Sequence, residues 1–105
     1  MNVNVANEDG CCRIGIEGEM TIYTAARLKE NLLLAMADCA ELEMNLGQVS
    51  EIDTAGLQLL ALAKREAADK NKPLHFVAHS QAVLDMLDMC NLEGAFGDPV
   101  VISHG

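Results

Sequence analysis

Residues 48–62, reading QVSEIDTAGLQLLAL, pass from the end of an apolar strand through a short polar turn into a helix, and this single transition most limits the folds open to the chain. Just before it, residues 41–46 (ELEMNL) alternate, with Leu42, Met44 and Leu46 on one side, as in a strand. After it, Leu57, Leu60, Ala61, Ala67 and Ala68 recur at helical spacing up to about Asp69. A strand that feeds a helix through a short loop starts a right-handed crossover unit, so an α/β architecture is expected.

The flanking segments extend that pattern. Residues 2–6 alternate, with Val3 and Val5 on one face of a half-buried strand. Asn7-Glu8-Asp9-Gly10 then supplies a tight reversal, and Cys12, Ile14 and Ile16 share one face of a second strand. From Tyr23 the period becomes helical, with Ala25, Leu28, Leu32, Ala35 and Met36 on one stripe, Thr21 or Thr24 as the cap, and an end near Asp38-Cys39. Asn71-Lys72-Pro73 stops the helix of the central unit, residues 74–78 suit a fourth strand, and Ser80 caps a third helix closed by Asn91 and Gly94. Val100-Val101-Ile102 reads as an edge strand. The expected fold is therefore one α/β domain over residues 1–105, a mixed sheet of about five strands with an N-terminal hairpin and three or four helices.

Composition narrows the function classes. The chain has 105 residues, half of them apolar, but only 3% aromatic and no Trp, so its core is built from Leu, Val, Ile, Ala and Met and a base-stacking surface is not expected. A formal charge of -9, with 16 acidic and 7 thinly spread basic residues, argues against nucleic acid and anionic membranes and suits a basic or mixed protein partner. No apolar run is long enough to span a bilayer, so no membrane insertion is expected. Four cysteines at 11, 12, 39 and 90 form no CxxC pair and have no His at ligand spacing. They read as reduced, mostly buried thiols, which implies a reducing cytoplasm and no metal site.

The turn at Asp53-Thr54 is the candidate site. Both residue types cap helices by accepting from first-turn amides, so one caps and the other is left free. Gly56, lacking Cβ, lets another backbone or a bulky group come close. A hydroxyl at the positive end of a helix dipole favours a phosphate, and Thr54 is the residue to carry it. Leu59 and Leu62 widen the apolar arc of the helix; either it is buried on two sides or it forms a partner-binding patch beside Thr54. Elsewhere no Gly-rich phosphate loop occurs, and His79-Ser80 is better explained by Ser80 as a cap than as a nucleophile and base. Asp85 and Asp88 lie on a solvated helix face, while Glu17 and Glu19 flank a turn. No catalytic residue and no cofactor is expected.

Gly18-Glu19-Met20-Thr21 before the first helix and Ile52-Asp53-Thr54-Ala55-Gly56-Leu57 before the second, with Phe96-Gly97 before the last strand, resemble the STAS domain of anti-sigma factor antagonists and sulfate transporter tails. The resemblance implies a non-enzymatic signalling module whose partner is an anti-sigma factor that is itself a serine/threonine kinase. The phosphoacceptor after the Asp is usually Ser; here it is Thr54, which keeps the hydroxyl and adds a methyl group. The partner-binding surface implied is Asp53, Thr54, Ala55, Gly56, Leu57, Leu59 and Leu62. Other STAS domains with Thr at this place act as adaptors on the ATPase subunit of a lipid-transport complex, and a third role is an adaptor in a chemotaxis or two-component system with a histidine kinase.

Overall fold

The computed structural model describes residues 2–89. The elements run β1 (Asn2–Glu8), β2 (Cys11–Met20), α1 (Ala25–Asp38), β3 (Glu41–Ile52), α2 (Thr54–Asp69), β4 (Leu74–Val77) and α3 (Gln81–Met89). Asp9 and Gly10 both adopt positive φ, 53° and 85°, the conformation of a two-residue hairpin turn whose twist matches the flanking strands. β1 and β2 are therefore antiparallel, and each βαβ crossover then adds a parallel neighbour, giving a mixed sheet in the order β1-β2-β3-β4. The described residues thus hold four strands; the expected strand at 100–102 and the helix closure at Asn91 and Gly94 lie outside them.

Strand alternation decides the layers. Register aligns Ile14, Met44 and Phe76 across β2, β3 and β4, and all three are buried with Cys12, Ile16, Leu42, Leu46 and Leu74 on the same face. Leu28, Leu32 and Met36 of α1, Leu57, Leu60 and Ala63 of α2, and Val83 and Leu87 of α3 close over that face. Fully burying one such Leu contributes roughly 1.5–3 kcal/mol. The opposite face carries the row Arg13, Glu43 and His75; Arg13 Nε lies 3.3 Å from Glu43, a solvent-screened pair of about 0–1 kcal/mol.

Several expectations are corrected. Val5 is 51% exposed: it lies on the sheet-edge strand β1, of whose side chains Val3 is the one that packs against the core. α1 begins at Ala25 and not Tyr23, since the threonine hydroxyls form turns of their own. Thr21 Oγ1 accepts from the Tyr23 amide, while Thr24 Oγ1 accepts from the Thr21 amide and donates to the Glu19 carbonyl. Thr24 holds the cap position without a side-chain capping bond.

The cysteines are not all reduced: Cys12, on the buried face of β2, is joined to Cys39, just past α1, by a disulfide with 5.8 Å between Cα atoms. The two are 27 positions apart, and only the packing of α1 onto the sheet brings them together. For this pair the inference to a reducing compartment loses its ground. Cys11 is a free thiol, and Cys90 lies outside the described residues.

Candidate functional site

The two parallel strands β2 and β3 end side by side, Met20 in register with Ile52, and each runs at once into a βα turn. The segments Gly18–Thr21 and Ile52–Leu57, separated by about a third of the chain, thereby become neighbours at the carboxyl edge of the sheet, where α/β folds commonly place their sites.

Asp53 organises the junction. It occupies the N-cap of α2 in extended conformation, and its Oδ1 accepts from the Gly56 amide at 3.0 Å. The second oxygen, Oδ2, accepts from the Ile22 amide at 3.0 Å, across 31 positions of sequence. The Asp53 amide in turn donates to the Met20 carbonyl at 3.2 Å. The Gly56 amide first, and the Ile22 amide second, hold the Asp53 carboxyl below its ordinary value of 3.8, so at neutral pH it is a carboxylate that only accepts.

Gly56 explains how the strand end comes so near. A Cβ at this position would collide with the Met20 carbonyl oxygen and lie 2.9 Å from Ile52 Cγ1. The close approach expected there is thus made by the end of β2, and any side chain would push α2 outward.

With Asp53 capping, Thr54 becomes the first helical residue and is exposed. Of the other residues expected to bind a partner, Gly56, Leu57 and Leu59 are buried and give their volume to the core, while Ala55 and Leu62 are half-buried, Leu62 packing against the core. The wide apolar arc of α2 is accordingly covered on most of its width. The residues that sequence reading missed are Ile22 and Tyr23, in the turn that Asp53 holds, at 69% and 93% exposure. Their one sequence signal is two large apolar residues directly after Thr21, which read equally well as the start of a helix. Glu19 and Glu51, register partners at the same edge, are also exposed and make it acidic.

Among the described residues no group of three or more His, Cys, Asp or Glu side chains is placed to hold a metal ion. Among them, too, no helix is long and apolar enough to cross a membrane.

Residues 3–102 match the family model described as "Mlab, STAS domain". The anti-sigma-B factor antagonist of Staphylococcus epidermidis is 23% identical over 94 residues, 89% of this chain and 87% of that protein. The fold is shared with an anti-sigma factor antagonist from Mycobacterium paratuberculosis, with TM-score 0.80 and 23% identity over 98% of this chain and 86% of the other. It is shared as well with the Bacillus cell fate determinant SpoIIAA in the phosphorylated form, with TM-score 0.72 and 14% identity over 95% of this chain and 91% of the other.

Proposed function

The chain belongs to the STAS domain family, and from that premise we propose that it is a regulatory module that binds a protein partner at the carboxyl edge of its sheet and is switched by phosphorylation of Thr54. The observation that carries this reading is the division of labour at the turn: Asp53 takes the capping bond, and the exposed hydroxyl of Thr54 is left at the positive end of α2. The partner on this reading is an anti-sigma factor with serine/threonine kinase activity, in keeping with the antagonists to which the chain is similar. It would transfer the γ-phosphoryl group of a nucleoside triphosphate to Thr54 Oγ1, with loss of the hydroxyl proton and departure of the diphosphate.

The added charge of about -1.5 to -2 must be desolvated whenever the contact forms, next to Asp53, Glu19 and Glu51. The domain itself supplies no catalysis in this scheme; its output is bound or unbound.

A second reading has an observation of its own, the matching family model's description as Mlab. On it the chain is a constitutive adaptor on a transport ATPase, and Thr54 is an interface residue that is never modified. The intact mass and fragment spectrum of the protein taken from its native host under several growth conditions separate the two. A phosphoryl group on Thr54 that comes and goes is the expected result; unmodified Thr54 in every condition would overturn the switch and leave the adaptor. Once a partner is in hand, Thr54→Glu is expected to weaken binding far more than Thr54→Ala.

A further inference from the structure

The turn that carries Thr54 and the turn that carries Ile22 and Tyr23 are connected by one side chain. Among the described residues, the other hydrogen bonds that shape residues 21–25 are local: the Tyr23 amide to Thr21 Oγ1, the Thr24 and Ala25 amides to the Thr21 carbonyl, the Thr21 amide to Thr24 Oγ1, and Thr24 Oγ1 to the Glu19 carbonyl. Such bonds fix the shape of the turn but not its position against α2. That position is set at the strand end by the Asp53 amide on the Met20 carbonyl and, beyond the strand end, by Asp53 Oδ2 on the Ile22 amide.

We propose that Asp53 is a positioning residue that couples charge on Thr54 to the placement of Ile22 and Tyr23. A negative group on Thr54 repels the adjacent carboxylate and weakens its hold on both amides. The Oδ1 bond to Gly56 lies inside the helix start, whereas the Oδ2 bond to Ile22 is exposed, so the latter gives way first. Release of the Ile22 amide frees the turn that presents two large apolar side chains at 69% and 93% exposure. The switch then acts twice, by charge at Thr54 and by displacement of an apolar surface beside it. This inference rests on the reading of Thr54 as the regulated residue, but its test needs neither partner nor kinase.

Amide hydrogen exchange followed by NMR on the whole chain reads the bond directly. Asp53→Ala is expected to speed exchange of the Ile22 amide about five- to tenfold beyond the general acceleration that loss of the cap brings to core amides such as that of Met44. Thr54→Glu is expected to act in the same direction, and Thr54→Gln, of the same shape without the charge, to stay at the wild-type rate. Equal Ile22 rates in Thr54→Glu and Thr54→Gln would overturn the coupling. So would an unchanged Ile22 rate in folded Asp53→Ala, a result that stands even if Thr54→Glu fails to fold. Faster exchange in Thr54→Glu with no phosphate ever found on Thr54 in the host would instead leave the coupling intact and remove the phosphorylation switch.

Discussion

Replacing Gly56 with alanine sets two well-known effects against each other. In an unconstrained helix the change stabilises by about 1 kcal/mol, because glycine is the poorer helix former. Here the new methyl group meets the Met20 carbonyl and, at 2.9 Å, Ile52 Cγ1. The Ile52 side chain can rotate, but the carbonyl is backbone and already accepts from the Asp53 amide, so α2 itself must move. Overpacking of this kind costs about 2–3 kcal/mol. The net expectation is a loss of about 1–2 kcal/mol, or about 5–15 °C in Tm for a chain of this size. Thermal unfolding followed by far-ultraviolet circular dichroism measures it, with Gly15→Ala as the control. A Cβ at Gly15 meets nothing within 4 Å, so that variant should match or slightly exceed the wild type. A Tm for Gly56→Ala at or above the wild-type value would refute the close approach of β2 to α2.

Two further outcomes are expected. The Asp53 carboxyl sits below its ordinary value in the folded chain, so its contribution is complete above the unfolded value of about 4 and is lost as pH falls through the folded one. Urea midpoints of wild type and Asp53→Asn, compared from about pH 7 down to about pH 3, should therefore converge at the acid end, and a gap that stays constant would remove the charged cap. Reduction of the Cys12–Cys39 bond, which closes a separation of 27 residues, is expected to cost about 3–4 kcal/mol by the chain-entropy relation. Intact mass before and after a dithiol reductant, with Tm on both samples, checks it; equal masses would mean that the two thiols are not joined.

The elements were legible because their periods are clean. Leu42, Met44 and Leu46 alternate, Leu28, Leu32 and Met36 recur by the turn, and the structure buries each of them. Asp-Gly at 9–10 announced the hairpin and Ser80 the start of α3, where its Oγ accepts from the Val83 amide at 3.3 Å. At the site, sequence left open whether Asp53 or Thr54 is the cap, since both side chains have the chemistry. The choice is made by Ile22, which offers an amide that the carboxylate can take with its second oxygen. That amide is 31 positions away, and no local pattern reports it. The disulfide escaped for the same reason: the pairing of Cys12 with Cys39 follows from how α1 lies on the sheet. The apolar width of α2 was visible, but not that Leu57 and Leu59 would be covered, because burial depends on neighbours contributed by other elements.

Tyr23 is the chain's sole tyrosine, and there is no tryptophan. Nearly all near-ultraviolet absorbance and emission therefore come from one ring that is 93% exposed in the native state. Unfolding alters the surroundings of such a ring very little, so fluorescence is nearly blind to loss of the core. The same ring sits three residues past the end of β2, in the turn that Asp53 holds, and any molecule that covers that turn must change its light. The protein carries a built-in optical reporter of its own candidate site, silent on folding and free of background from the rest of the chain.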